Sequence, residues 1–176
     1  RYLTLENGRV FQGKAFGAGG EVTAEIVFTT SMTGYLETLT DPSYFGQMVV
    51  QAFPLIGNYG VIPADFESGA PALGAYIVRS WCQDPSNFRS EEDLDTFLFQ
   101  HGIVGLYDID TRELVQIIRE YGVMNAIIAD EPKTDAKTLE QLRAFRIERA
   151  VESVSCEYPT IERNAGIERT IALWDF

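Results

Sequence analysis

Two helical repeats, each closed by a glycine and followed by a short apolar run, constrain the fold of this chain more than any other feature. Leu94, Phe97, Leu98 and His101 recur at i, i+3, i+4 and i+7, and Gly102 stops the pattern. Leu114, Ile117, Ile118 and Tyr121, stopped by Gly122, repeat it. Residues 103–107 and 123–129 then read as short buried strands. The start signals agree: Ser90 reads as an N-cap with Asp93 in the capping-box position, and Asp110-Thr111-Arg112-Glu113 repeats cap and box. Residues 135–145 read as a third helix with Leu139, Leu142 and Phe145 inward.

The N-terminal part has the other period. Residues 2–5, an Asn7-Gly8 turn and residues 10–14 predict a hairpin, and residues 22–28 a third strand. Between them, Gly17-Ala18-Gly19-Gly20 has neither the G-x-G-x-x-G spacing nor a Gly-Lys-Ser/Thr ending, so it is read as a turn and not as a phosphate loop. Residues 65–71 are acidic and turn-forming, and residues 72–78 are apolar and short enough for another buried strand. Strands that come first in hairpins and later alternate with helices predict an α/β domain, a mixed sheet with helices packed on it. Periodicity fades after Glu148, so residues 1–150 are expected to form the domain and residues 151–170 a linker. Ile171-Ala172-Leu173-Trp174-Asp175-Phe176 then begins a strand that lacks a partner.

Residues 28–60 carry few helix signals. They enter an apolar run at Met48-Val49-Val50 and are expected to turn again from Pro54 to Gly60. In Asp41-Pro42-Ser43-Tyr44 the carboxylate can accept from backbone ahead of it while the proline fixes φ, the chemistry of a specified turn. On residues alone, a well-packed surface loop is the plainer reading. Phe45, Phe53 and Leu55 would form a docking patch if exposed and are only core if buried.

Composition removes several classes of function. A net charge of −12 repels phosphate backbones and anionic lipid, and no apolar run approaches the roughly 20 residues a membrane span needs. Neither nucleic acid nor a membrane is expected as a partner. Cys82 and Cys156 lie far apart without a C-x-x-C spacing, and His101 is the single histidine, so no disulfide framework or metal cluster is expected. A reducing cytoplasm suits this cysteine usage. The chain starts at Arg1 without a basic-then-apolar leader; no targeting segment is expected, and the start reads as trimmed.

Ser31-Met32-Thr33-Gly34-Tyr35, Leu39-Thr40-Asp41-Pro42-Ser43-Tyr44, Gly46-Gln47 and Pro54-Leu55-Ile56-Gly57-Asn58-Tyr59-Gly60 resemble the N-terminal domain of the carbamoyl-phosphate synthetase small subunit. The resemblance continues through Pro85-Ser86-Asn87-Phe88-Arg89-Ser90 and Asp108-Ile109-Asp110-Thr111-Arg112 and covers nearly the whole chain. Thr29 and Leu36 depart from the pattern, where Asn and Gln are common. The resemblance implies a compact β/β/α domain, with residues 171–176 as the first strand of a class I glutamine amidotransferase domain. It implies an enzyme, a ligase: the subunit hydrolyses glutamine, and its ammonia passes to a large, ATP- and Mg-using subunit that makes carbamoyl phosphate for pyrimidine or arginine synthesis. The expected partners are that large subunit, the amidotransferase domain and L-glutamine. No cofactor is expected in this chain.

The resemblance also implies that Ser43 contacts bound glutamine across the domain interface. The nucleophilic cysteine of such enzymes sits between glycines on a strand-to-helix elbow, whereas Cys82 lies between Trp81 and Gln83 and Cys156 between Ser155 and Glu157. No catalytic residue is therefore expected here. His101 reads as a satisfied, partly buried helix-end histidine, and Asp108 and Asp110 read as structural, with Asp110 a cap. The alternatives are a free-standing interaction module of this fold and, least favoured, a hydrolase using Cys156 and His101.

Overall fold

The computed structural model describes residues 1–156, Tyr158 and residues 171–172. Among these, eight strands form one mixed sheet: β1 (Tyr2–Leu5), β2 (Val10–Gln12), β3 (Lys14–Gly17), β4 (Val22–Thr29), β5 (Met48–Ile56), β6 (Ala75–Trp81), β7 (Val104–Tyr107) and β8 (Met124–Ala129). Their order is β2-β1-β8-β4-β5-β6-β7-β3. Strands β4 to β7 run parallel, and every other pairing is antiparallel. The helices are α1 (Tyr35–Thr40), α2 (Leu94–Gln100), α3 (Thr111–Tyr121), α4 (Ala136–Ala144) and α5 (Ala150–Val154).

Strands β2 and β3 stand at opposite ends of this order, yet only Gly13 separates them in the chain. Because one residue advances the chain by less than about 4 Å, the sheet must curl until its two ends meet. Gly13 is the joint. Its N–H donates to the Arg1 carbonyl and its own carbonyl accepts from the Arg1 ammonium, both at 2.9 Å. A Cβ there would lie 2.6 Å from the Tyr107 carbonyl oxygen, so only glycine fits. The expected second hairpin strand thus breaks into two short strands with different partners.

Side chains alternate across each strand and feed two cores. Leu3, Leu5, Ile26, Met48, Val50, Ile77, Leu106 and Ile128 face the first, which Leu114, Ile117 and Ile118 of α3 complete. Val49, Tyr76 and Val78 face the second, which is covered by Leu36 and Leu39 of α1 and by Leu94, Phe97 and Leu98 of α2. Leu142 of α4 is buried at 1% exposure near β8, where the Asn125 amide donates to its carbonyl at 2.9 Å. The mixed sheet with packed helices is the α/β architecture the alternating periods predict.

Several local expectations change. Helix α2 is capped by Asp93 rather than Ser90: the Asp93 carboxylate accepts from the Thr96 N–H at 2.9 Å and its hydroxyl at 2.8 Å. Glu91 and Glu92 are instead drawn into extended backbone pairing with Val61, and the Ser90 hydroxyl donates to the Glu92 carbonyl at 3.1 Å. Asp110 caps α3 as expected, accepting from the Glu113 N–H at 3.0 Å. Residues 28–60 contain helix α1, and β5 runs on through Pro54 to Ile56. Strand β5 tolerates the proline because its register with β6 shifts between Gln51 and Leu55, and the Pro54 carbonyl accepts from the Ser80 hydroxyl at 2.7 Å. Helix α5 lies at the junction of the expected domain and linker; most of the rest of that linker, and most of the expected strand at 171–176, fall outside the described residues.

Candidate functional site

The Asp41-Pro42-Ser43-Tyr44 segment follows α1 and forms one 3-10 turn. The Asp41 carboxylate accepts from the Ser43 N–H at 2.8 Å, and the Asp41 and Pro42 carbonyls accept from the N–H groups of Tyr44 and Phe45 at 3.1 and 3.0 Å. Gly46 then takes φ 68°, and its N–H donates to the Ala72 carbonyl at 2.9 Å. The turn is therefore fixed at both ends. Ser43 is exposed on it, and its hydroxyl makes no hydrogen bond with another described residue.

Ser43 lines a cleft of about 370 Å³. Glu25 and Gln47 form one wall, joined by a 2.7 Å hydrogen bond from the Gln47 amide to the Glu25 carboxylate. Arg146, Ile147, Val151 and Val154 form the other, with Ile147 seated over Gly46. A free hydroxyl, a carboxylate and a guanidinium beside apolar side chains can together hold a small zwitterion. Sequence reasoning picked out Ser43 and missed Glu25, Gln47 as a wall and Arg146. Glu25 sits in a strand otherwise rich in apolar and β-branched residues, a signal that was available; Arg146 is brought in only by the tertiary fold.

A tyrosine pair ties the two ends of the central segment. Tyr35 and Tyr59 stack with ring centroids 4.2 Å apart, and the Tyr59 hydroxyl oxygen accepts from the N–H groups of Gly34 and Tyr35 at 3.2 and 3.3 Å. The Tyr35 hydroxyl donates to the Gly60 carbonyl at 2.6 Å. Burial, with the neighbouring Tyr59 adding to it, holds the Tyr35 hydroxyl far above the usual phenol range. Leu36, one of the two departures from the family pattern, follows Tyr35 in α1 and is fully buried, and the Thr29 hydroxyl oxygen accepts from the Ser31 N–H at 3.3 Å.

The remaining candidates are dispersed. Cys82 is half-buried, with its thiol 3.4 Å from the Asp84 carbonyl, and Cys156 is exposed; neither bonds His101. His101 is exposed rather than partly buried, because α2 ends at its position and leaves the ring against the outer side of Phe97, 4.6 Å between centroids. The Lys14 ammonium, 2.9 Å away, holds the Asp108 carboxyl below the usual carboxylate range. Phe45 and Phe53 are half-buried, and of the three residues of the expected patch only Leu55 is exposed. Among the described residues no group of three His, Cys, Asp or Glu is placed to hold a metal, and no helix is long and apolar enough to cross a membrane. A larger cleft, about 550 Å³, lies not at Ser43 but on the other side of Gln51 along β5.

The family model described as "Carbamoyl-phosphate synthase small chain, CPSase domain" matches residues 3–128. A carbamoyl phosphate synthase small chain from Oceanobacillus iheyensis is 46% identical over 177 residues, covering 100% of this chain and 48% of its own length. One from Clostridium perfringens is 50% identical over 176 residues, 99% of this chain and 49% of its own. One from Syntrophotalea carbinolica is 49% identical over 160 residues, 89% of this chain and 43% of its own. The chain spans about half the length of the curated relatives it matches. With its mixed sheet, its capped helices and its match over residues 3–128, the chain belongs to the carbamoyl-phosphate synthase small chain family.

Proposed function

We propose that this chain is the N-terminal domain of the glutamine-hydrolysing subunit of carbamoyl-phosphate synthase, and that Ser43 contacts glutamine held by an amidotransferase domain beyond it. The observation that carries this reading is the exposed Ser43 hydroxyl, unpartnered among the described residues on a turn fixed by the Asp41 carboxylate at 2.8 Å. A hydroxyl held this way donates and accepts without reorganising, which suits an amino acid that carries both an ammonium and a carboxylate. In this reading the domain supplies no nucleophile, since neither Cys82 nor Cys156 lies between glycines in the sequence. Hydrolysis belongs to the amidotransferase half, and the ATP- and Mg-dependent synthesis to a large subunit that this domain helps to dock, in the cytoplasm, for pyrimidine or arginine synthesis.

The test is steady-state kinetics of the full-length subunit with its large partner. Ser43→Ala is expected to raise the KM for glutamine by about tenfold, the worth of one lost hydrogen bond to a charged group, while synthesis from free ammonia is unchanged. An unchanged glutamine KM overturns the role of Ser43.

A further inference from the structure

The parallel strands β4, β5 and β6 place every second side chain on the face covered by α3. Ile26, Phe28, Val50, Ala52 and Ile77 are the apolar part of that face. Further along lie Thr30, just past β4, Pro54, in the stretch of β5 where the register shifts, and Arg79 of β6, and there the cleft of about 550 Å³ opens. Ala52, Phe53 and Val115 line it on the apolar side; Arg79 from the sheet and Arg112 and Arg119 from α3 supply three guanidinium groups.

This concentration of positive charge runs against the chain's composition, which carries 26 acidic and 14 basic side chains. Arg1, Arg9, Lys14, Arg89, Lys133 and Arg149 are ion-paired, whereas the three cleft arginines, like Lys137, Arg143 and Arg146, form no ion pair with another described residue. Of the two nearby carboxylates, Asp110 lines the cleft while capping α3 through the Glu113 N–H, and Asp108 is bonded to Lys14. Arg112 occupies the first turn of α3, between the Asp110 cap and Glu113. Arg112 and Arg119 are seven residues apart on one helix face, about 10 Å along its axis.

The position and size suit a small molecule. The cleft lies towards the carboxyl ends of parallel strands, and its volume falls in the range of about 300–1,000 Å³ typical of small-molecule sites. It is separate from the Ser43 cleft: Gln47 lines that one and Phe53 this one, six strand residues or about 20 Å apart.

We propose that this cleft binds a small organic anion, with phosphate or carboxylate groups held by Arg79, Arg112 and Arg119 and an apolar body resting on Phe53 and Val115. Arginine is suited to both kinds of group because its fork bonds two oxygens at once.

The test is calorimetric titration of this chain at fixed ionic strength with phenyl phosphate, phthalate, inorganic phosphate and hexaglutamate, alongside amide chemical-shift mapping. Saturable binding of phenyl phosphate or phthalate is expected, tighter than that of inorganic phosphate, with shifts at Thr30, Phe53 and Arg112. Which of the two organic probes binds more tightly assigns the ligand's acidic group. In Arg112→Gln/Arg119→Gln, which alters only exposed side chains, affinity is expected to fall by at least about tenfold at an unchanged melting temperature. Absence of saturable binding, affinity retained by the double variant, or shifts confined to other residues overturns the proposal. Binding of hexaglutamate alone also overturns it and makes the cleft a docking surface for an acidic protein segment.

Discussion

Replacing Gly105 by alanine isolates the contact that holds β3 to the rest of the sheet. Gly105 lies in β7 directly opposite Phe16 of β3. A Cβ at that position would meet the Phe16 ring at 2.4 and 2.6 Å and the Phe16 carbonyl oxygen at 2.5 Å. Ordinary contact begins near 3.4 Å, so Phe16 and its backbone must retreat by about 1 Å. The ring has little room, being 4% exposed and packed 5.5 Å from Trp81 and 5.7 Å from Tyr107. Overpacking of this kind costs about 1–3 kcal/mol, or roughly 2–12 °C in melting temperature for a chain of this size. The control is Gly69→Ala, where a Cβ meets nothing within 4 Å and φ is not positive; it is expected to be neutral or stabilising by a few tenths of a kcal/mol. Urea denaturation of both variants gives the difference, and hydrogen exchange of the amides at residues 14–17 locates it. If Gly105→Ala matches Gly69→Ala in stability, or if the β3 amides stay as protected as in the wild type, the steric reasoning is wrong.

Two further outcomes follow from the caps and the buried phenols. Asp93→Ala should cost about 1 kcal/mol in urea denaturation because it removes the cap of α2; a loss seen instead in Ser90→Ala alone would restore Ser90 as the cap. Tyr35 has its folded-state pKa raised above the usual 10.0 chiefly by burial, so the stability it contributes is complete below pH 10 and is lost as pH rises further and the unfolded chain ionises first. Melting temperatures measured from pH 8 to 11 should therefore fall less steeply in Tyr35→Phe than in the wild type, and equal slopes would show that Tyr35 ionises without unfolding.

Much of the fold was legible because its signals are local. The 3.6-residue stripes of α2 and α3, the glycines that end them and the Asp110 cap depend on neighbours within a turn or two, and the structure places them within about a residue of expectation. The failures involve partners far apart in sequence. Ser90 looks like a cap until Val61 pairs with Glu91 and Glu92, thirty residues away in the chain. Pro54 looks like a strand end until a register shift against β6 accommodates it. For the site, the Asp41 turn is local chemistry, but only the family resemblance pointed to Ser43 on it, whereas Arg146 reaches the same cleft because α4 packs beside β8. The arginine cleft was invisible for the same reason. Arg79 and Arg112 are ordinary residues in their own segments, and strand parity alone turns Arg79 towards α3.

The joint at Gly13 sets the order in which this domain can be completed. The first seventeen residues supply β1, β2 and β3, but β1 pairs with β8 as well as β2, and β3 pairs only with β7. On a ribosome this segment emerges well before residues 104–129 and must wait for them before it can be stitched in at both ends. Until then Leu3, Leu5, Phe11 and Phe16 stay in water, and a nascent chain arrested before β7 exposes them to whatever chaperone is at hand. The same dependence sets a minimum length for any working truncation: a chain that stops short of Ala129 leaves β1 without its inner neighbour and the curl unsealed.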